Sequence, residues 1–480
     1  MQQLRTETAE LRERMPPVLS DRSFRLLWLA QIMSQTAQNA ILYALIVLVL
    51  DLTGGSTAST SLVVFFFVVP TVVFGVFAGV LVDRWSKRRL LILTNVGRAI
   101  AAIAYFFGRE HVWALYTTTI FFASCSQLFT TSTAASIPFM VSRKQLISAN
   151  TLFSGAFTIA QIAGLIILSP LIIKVAGRGD LSTGAGALFV GACAVFIIAA
   201  LLARLLPYIG HEGEDESHSA FPGRAEMRGA VADFARALGS LRKDPVSTMA
   251  MAHITMSSTL ILLFAVLVPK YMQAILKVGA EDAVAVFAPV AFGALFGLRA
   301  VPYMVRRFGK TGAVAFGLFG IAICVSAMGL VETIANGLEQ TNRFNPFTEG
   351  NERFFGLSIL VALTMLISGP MGFAYALVNT PAQTVLHERT PVEMRGRVIA
   401  SQMVMANGVA LVPLVVMGGI ADLYGVSSVV LAIGVLTALS AALTLYLDRR
   451  WVHSDTTPPA AAGDDVGEPR SAVSRSIDTT

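Results

Sequence analysis

Long apolar stretches alternate with short polar stretches along almost the whole chain. Twelve windows are apolar over the roughly 20 residues that a helix needs to cross a lipid bilayer. The windows lie at 24–50, 57–82, 90–107, 113–136, 147–173 and 183–206, and after a polar gap at 247–269, 283–305, 311–331, 354–382, 398–421 and 427–447. This pattern predicts an all-α integral membrane protein with twelve transmembrane helices in two six-helix bundles. We number the helices as spans 1–12.

Polar segments divide the chain into five predicted parts. These are an N-terminal segment at 1–23, a first bundle at 24–206, a linker at 207–246, a second bundle at 247–447 and a tail at 448–480. The N-terminal segment lacks the apolar region of a cleavable signal peptide. The tail is rich in Pro, Ser, Thr and Asp, and we expect it to be disordered.

The linker contains two kinds of sequence. Its first part, "HEGEDESHSAFPGR", is polar and predicts a flexible connection. Further on, Val231, Phe234, Leu238 and Leu241 recur at helical spacing. This spacing predicts an amphipathic helix that either lies on the inner membrane surface or docks on the ends of the bundles.

The composition agrees with a membrane protein. Of the 480 residues, 55% are hydrophobic and 14% are charged, whereas soluble domains contain about 25% charged residues. The net charge of +6 fits the excess of Lys and Arg in cytoplasmic loops and does not indicate nucleic-acid binding. Cys125, Cys193 and Cys324 lie in apolar windows without a neighbouring histidine, so we interpret them as buried apolar residues. We therefore expect no disulfide, metal ion or cofactor.

The basic residues of the short loops predict the orientation of the chain. They are dense on one side, which should be cytoplasmic. That side carries Arg84, Lys87, Arg88, Arg89, Arg143, Lys144, Arg306, Arg307, Lys310, Arg389, Arg395 and Arg397. We therefore expect a multi-pass protein of the cell membrane (plasma or inner membrane) with both termini in the cytoplasm.

The two bundles repeat the same loop patterns. "VDRWSKRRL" follows span 2 and "VRRFGKTGA" follows span 8, while "SRKQLISAN" precedes span 5 and "PVEMRGRVIAS" precedes span 11. Internal duplication of this kind is typical of secondary transporters.

The loop after span 2 resembles the signature loop of the major facilitator superfamily, which is roughly G-x-L-x-D-R-x-G-R-R/K. The matching residues are Gly79, Leu81, Asp83, Arg84, Lys87 and Arg88, and Ser86 replaces the motif's glycine. The second copy is degenerate, because Arg306 takes the place of the aspartate although Phe308, Gly309 and Lys310 are kept.

Three further stretches are similar to bacterial drug exporters of this superfamily, among them macrolide and tetracycline efflux pumps and the enterobactin exporter. They are "DLTGGS", "ISANTLFSGAF" and "TPVEMRGRVIAS". The resemblance covers roughly residues 24–447 and implies a monomeric transporter in the lipid bilayer that exchanges protons for cargo.

The resemblance also implies a role for Asp83 as a gate. Its carboxylate would lie near the N-terminus of span 11, close to Arg395 and Arg397, and would hold the cytoplasmic side closed. For Lys87, Arg88 and Arg89 the alternative is plain anchoring by the positive charges of cytoplasmic loops.

Polar residues within the spans are candidates for a substrate cavity. Gln31, Ser34, Gln35 and Gln38 occupy one face of span 1, and they could either bond to neighbouring helices or line a cavity. In the resembled fold, spans 1, 4, 7 and 10 line the central cavity. The other candidates are Ser124, Gln127 and Thr131 in span 4, His253, Ser257 and Ser258 in span 7, and Asn379 and Gln383 in span 10.

Few ionisable groups lie inside the predicted spans. His253 could be a neutral core histidine or a group that carries protons. Arg98 in span 3 and Arg299 in span 8 could face the interior with a partner or extend toward the membrane surface. No Asp or Glu lies in the middle of a window, so proton coupling depends on the resemblance alone.

These observations predict an exporter of lipophilic or amphiphilic small molecules that works by alternating access, because an uncharged cavity does not suit small anions or sugars. The alternatives are a lipid or lysolipid flippase of the same fold and a membrane sensor or scaffold that transports nothing. The sequence has no HExxH, G-x-S-x-G or P-loop motif, so we do not expect an enzyme.

Overall fold

A computed structural model describes residues 18–142, 145–207, 244–279, 282–340, 353–354, 357–389 and 395–451, together with positions 229, 232 and 239. The predicted amphipathic helix and most of the linker, the N-terminal segment up to residue 17 and the tail from residue 452 lie outside these residues.

Six helical spans form the first half. Span 1 begins after Asp21, whose carboxylate accepts a hydrogen bond from the Phe24 amide at 2.9 Å and caps the helix. The spans are Arg22–Leu52, Thr57–Arg84, Lys87–Gly108, Val112–Ser136, then span 5 as Leu146–Gln161, Ile162–Leu168 and Ser169–Gly177, and span 6 as Leu181–Arg204.

The second half repeats this arrangement. Span 7 comprises Pro245–Tyr271 and the π-helical segment Met272–Leu276, and spans 8 and 9 share the kinked helix Ala283–Gly329. Spans 10, 11 and 12 are Ile359–Arg389, Arg395–Tyr424 and Val426–Trp451.

The helices account for twelve spans. Within the described residues, ten segments are long and apolar enough to cross a membrane. One of these, Val286–Gly329, contains both span 8 and span 9, and the remaining span is Val112–Ser136, whose many Ser and Thr residues lower its hydropathy. The predicted all-α fold with twelve transmembrane helices is confirmed.

The two copies of the signature loop use different backbone geometry. Gly309 has φ 74° and ψ 172°, which glycine adopts readily because it lacks a Cβ atom, and it separates spans 8 and 9. Ser86 holds the equivalent position in the first copy with φ −57° and ψ 119°. The first loop therefore turns without glycine, and the serine at this position causes no backbone strain.

Two features near the outer loop differ from the sequence prediction. A helix at Val331–Gln340 follows span 9, in the stretch between the predicted windows of spans 9 and 10. Before span 10, the short strands β1 (Arg353–Phe354) and β2 (Leu357–Ser358) pair antiparallel. Span 10 consequently begins at Ile359 rather than at residue 354.

Span 1 forms the centre of the first half, and its residues 37–50 are all buried. The contact between the halves runs mainly along spans 2 and 11, which pack against each other in opposite directions. Spans 5 and 8 form a smaller contact. Below, the outer end is the end that carries the loop between spans 1 and 2, as the predicted orientation implies.

Candidate functional site

The polar stripe of span 1 is buried. The exposed fractions of Gln31, Gln35 and Gln38 are 3%, 2% and 9%, and their Oε1 atoms have no hydrogen-bond partner within the described part of the chain. Ser34 donates to Asn95 Oδ1 of span 3 at 2.9 Å. The stripe therefore faces protein in this conformation, and its role in a cavity remains a prediction.

A different face of span 1 is open. Leu29 is exposed, and Ile32, Met33 and Thr36 are half-buried. This face is mostly apolar, so a cargo that touched span 1 here would contact these apolar side chains and not the buried glutamines.

Arg98 lies inside the first half, as one of our two alternatives predicted. It is fully buried, and its Nη2 donates to Asn95 Oδ1 at 2.7 Å. The guanidinium carbon lies 4.0 Å from the ring centre of Phe129 and 4.8 Å from that of Phe196. Both rings attract the cation through their π faces, so Arg98 has partners that the sequence did not reveal.

Arg299 does not share this environment. It is exposed on span 8, on the same face as the exposed side chains of Phe292, Phe296 and Tyr303. Arg299 therefore has no buried environment in this conformation, and its role stays a prediction.

The candidates in span 4 share a half-buried face. Ser124, Gln127 and Thr131 are all partly exposed. The hydroxyl of Ser124 donates to the Ile120 carbonyl at 2.7 Å, and that of Thr131 to the Gln127 carbonyl at 3.0 Å. Both hydroxyls keep an oxygen that can accept a further hydrogen bond.

Span 10 carries a matching polar face. Gln383 Nε2 donates to Asn379 Oδ1 at 3.3 Å, and both side chains are half-buried. Tyr375, one turn earlier on the same face, is also half-buried, and the sequence reasoning missed it. The spacing of four residues between Tyr375, Asn379 and Gln383 is the signal that could have identified it.

The candidates in span 7 need a correction. His253 is buried, and its Nε2 lies 2.8 Å from Thr444 Oγ1 of span 12. Ser257 is buried as well, and only Ser258 is partly exposed. His253 therefore has the environment of a core histidine, and neither it nor Ser257 lines an open surface in this conformation.

The basic residues of the signature loop make specific contacts in the first half. The buried Lys87 places its Nζ 5.7 Å from the ring centre of Phe139. Arg88 Nη2 donates to the Arg204 carbonyl at the end of span 6 at 2.5 Å, where a cation is favoured by the helix dipole. These contacts connect the loop to spans of the first half, which is a different role from setting the orientation of the chain in the membrane. In the second copy, Lys310 pairs with Glu388 of span 10.

The predicted cytoplasmic gate is only partly visible. Gly79 and Asp83 lie near the end of span 2, and Arg395 and Arg397 begin span 11. The side chains of Asp83, Arg395 and Arg397 lie outside the described residues, so the gate remains a prediction.

The outer end is closed by contacts between the halves that the sequence did not predict. Asp422 of span 11 accepts hydrogen bonds from the Thr57 amide at 2.7 Å, the Ala58 amide at 2.9 Å and the Ser56 hydroxyl at 3.0 Å. Two cations add further links. Lys270 of span 7 binds the Gly55 carbonyl, and Lys174 of span 5 pairs with Asp282 at 2.6 Å.

The buried stripe gives a prediction that separates packing from transport. We expect Gln35→Leu to raise the free energy of unfolding by about 1 kcal/mol, because it removes a buried carbonyl oxygen without a partner. If this oxygen reaches cargo during transport, the same variant also changes the order of preferred cargoes. Thermal unfolding and competition between transported dyes measure the two effects. Higher stability with unchanged preference would assign Gln35 to packing alone, and lower stability would contradict the expectation that its buried oxygen has no partner among the described residues.

Comparisons with known proteins agree with this architecture. A sequence profile described as Major Facilitator Superfamily matches residues 27–341. No curated protein sequence matches the chain significantly. Among solved structures, the nucleoside transporter NupG is similar with a TM-score of 0.63 and 14% identity, over 88% of this chain and 98% of its own.

Two further solved structures show the same fold. The POT family transporter PepTSo has a TM-score of 0.65 and 12% identity, over 91% of this chain and 99% of its own. A bacterial homologue of the iron transporter ferroportin in the inward-facing state has a TM-score of 0.63 and 12% identity, over 88% of this chain and 98% of its own. At such low identity these likenesses show the fold alone.

Proposed function

The chain belongs to the major facilitator superfamily, and from that premise we propose that it exports lipophilic or amphiphilic small molecules by alternating access in exchange for protons. The superfamily and the transporters of similar structure indicate a transporter rather than an enzyme. The direction of transport, the class of cargo and the coupling ion are our proposal.

The chemistry of the partly exposed polar faces supports this class of cargo most directly. Span 4 offers two hydroxyls and an amide, and span 10 offers a phenol and two amides. All of these groups are uncharged at neutral pH. They can give a cargo a few hydrogen bonds within apolar surroundings, but they offer no fixed charge to neutralise an ionic substrate. Such a lining fits a largely apolar molecule with a few polar groups.

The proposed proton coupling is supported by the resemblance to drug exporters. The described portions of the spans carry carboxylates only near their ends, such as Asp51, Glu388 and Asp422. His253 bonds to Thr444, and it would have to leave this partner to exchange protons with water. We keep the proton as the coupling ion because of the resemblance to drug exporters.

Efflux from cells tests the proposal directly. Cells that express the protein are loaded with a panel of lipophilic dyes, and dye loss is followed with the pH gradient intact and after it is collapsed by a protonophore. We expect faster loss of at least one dye than in cells without the protein, and no difference once the gradient is gone. Dye loss independent of the gradient would rule out proton coupling, and no efflux of any dye would rule out this class of cargo.

The face of span 10 gives a second prediction. We expect the double variant Asn379→Leu/Gln383→Leu to change relative efflux rates among dyes by about tenfold, because it removes one or two hydrogen bonds that only the more polar dyes can use. Thr384→Val is the matched control, since Thr384 is exposed on the same span and bonds the Thr380 carbonyl. Equal changes in both variants would show that the effect is not specific to this face.

One observation favours the lipid flippase as the second candidate. The exposed Arg299 lies among exposed aromatic side chains on span 8, and a guanidinium among apolar groups suits a lipid with an anionic headgroup. Movement of a fluorescent lysolipid across proteoliposomes would support this alternative if Arg299→Gln abolished it.

A further inference from the structure

The outer end of span 2 is capped by a residue from the other half of the protein. The first amides of a helix have no partner within the helix. In span 2, the hydroxyl of Ser56 accepts a hydrogen bond from the Ser59 amide at 3.2 Å. The carboxylate of Asp422 accepts hydrogen bonds from the Thr57 and Ala58 amides. The Ser56 hydroxyl also donates to Asp422, so the carboxylate accepts three hydrogen bonds and lies at the positive end of the helix dipole.

Among the described glycines of spans 2 and 11, the closest approach between the two helices is beside this cap. A Cβ atom added to Gly418 would lie 2.8 Å from Ser61 Cβ and 3.1 Å from the Thr57 carbonyl, so only glycine fits there. Near the middle of the pair, a Cβ atom added to Gly408 would lie 3.7 Å from the side chain of Val72, which is an ordinary contact. The tight contact is therefore at the outer third of the two helices.

The antiparallel arrangement gives this contact a counterpart. Span 11 ends at the outer side, where Asp422 meets the beginning of span 2. Span 2 ends at the cytoplasmic side with Asp83, next to the end of the pair where span 11 begins at Arg395. Each helix thus carries a carboxylate near its C-terminus on the side where the other helix begins.

We propose that Asp422 is a positioning residue for the transport cycle, a latch that holds the outer end closed and is released when the protein opens outward. The inference rests on the alternating access proposed above. Release is easy because Asp422 is exposed near the end of span 11, where water can take over the hydrogen bonds of the freed amides.

Two other contacts at the outer end, made by Lys174 and Lys270, add to the contact of Asp422 but differ from it in kind. The ion pair between Lys174 and Asp282 is exposed, and such pairs contribute little in water. The bond from Lys270 to the Gly55 carbonyl holds the loop that precedes span 2. Asp422 is the contact that combines a full charge, three hydrogen bonds and a helix terminus.

Distances between spin labels test the latch without any cargo. Labels at Glu110→Cys and Ser428→Cys, exposed positions near the outer ends of the two halves, report the outer opening. Labels at Ser142→Cys and Arg307→Cys report the cytoplasmic side. The native Cys125, Cys193 and Cys324 are replaced by alanine in this background. The purified full-length chain is measured in lipid nanodiscs by pulsed electron resonance.

We expect Asp422→Asn to raise the ratio of outer-open to outer-closed molecules about three- to tenfold, because the amide loses the charge and turns donor hydrogens toward the helix. Asp422→Glu should keep most of the closed population, since it retains the carboxylate. Asp51→Asn is the matched control, because it removes one negative charge at the same end without breaking the cap.

The two label pairs separate the latch from the proposed function. A wider outer distance together with a narrower cytoplasmic distance in Asp422→Asn supports both. A wider outer distance with an unchanged cytoplasmic distance supports the latch but contradicts alternating access. If Asp422→Asn has the same distances as Asp51→Asn, the latch is overturned, and dye efflux then decides the proposed function independently.

Discussion

Asn95→Leu is expected to lower the free energy of unfolding by about 2 kcal/mol, and the addition of Arg98→Met is expected to recover most of that loss. The Asn95 side chain is the polar partner of a buried cation, and hydrogen bonds to charged groups contribute about 1.5–3 kcal/mol. Within the described residues, its removal leaves the buried charge of Arg98 with the aromatic rings of Phe129 and Phe196 alone.

The reversal is expected because the cost comes from the charge and not from the shape of the site. A buried charge without its partner strongly destabilises a protein, whereas an apolar side chain of similar size often fits as well as the original pair. Methionine is flexible and packs well against aromatic rings, and the rings of Phe129 and Phe196 already lie next to the side chain at position 98. Ser34, which also bonds to Asn95, can turn to a backbone carbonyl of its own helix.

Unfolding in mixed detergent micelles measures these differences in free energy. Thr94→Val is the matched control, because the Thr94 hydroxyl is buried on the same helix but bonds the Leu90 carbonyl at 2.6 Å. If the double variant is as unstable as Asn95→Leu alone, the destabilisation arises from packing, and the charge of Arg98 is compensated in another way.

The sequence was sufficient to predict the spans because each of them is a long local signal. Hydropathy depends on neighbouring residues, so windows of apolar residues could be found one at a time. The breaks within the helices were harder to predict. The π-helical segments of spans 5 and 7 depend on packing that no local pattern records.

For the candidate functional residues, the sequence predicted which of them share a helix face, but not what that face contacts. Periodicity grouped Gln31, Gln35 and Gln38 correctly, but it could not say that this face is turned toward protein. The contacts of Asp422 join residues more than 360 positions apart, and Arg98 and Phe129 meet only through folding. Contacts of this kind follow from the way the helices assemble, and a single sequence contains no direct record of that assembly.

Asp83→Asn is expected to reduce transport by more than tenfold while the amount of protein in the membrane stays unchanged. A carboxylate at a helix N-terminus contributes up to about 2 kcal/mol, which is roughly a thirtyfold change in a conformational equilibrium. The structure shows what the neighbouring cations do for the fold, since Lys87 lies over Phe139 and Arg88 binds the Arg204 carbonyl. Asp83 itself contributes little to topological anchoring, because acidic residues influence the orientation of a membrane protein only weakly.

The strongest test of this prediction combines Asp83 with Asp422. If Asp83 holds the cytoplasmic side closed and Asp422 holds the outer side closed, each single variant shifts the equilibrium in the opposite direction. The double variant Asp83→Asn/Asp422→Asn should then have label distances closer to the original protein than either single variant. Arg89→Gln is the control for charge in the same loop, because Arg89 is exposed. Normal dye efflux by Asp83→Asn, measured at equal membrane abundance, would contradict the gate, and additive shifts in one direction would show that the two carboxylates do not oppose each other.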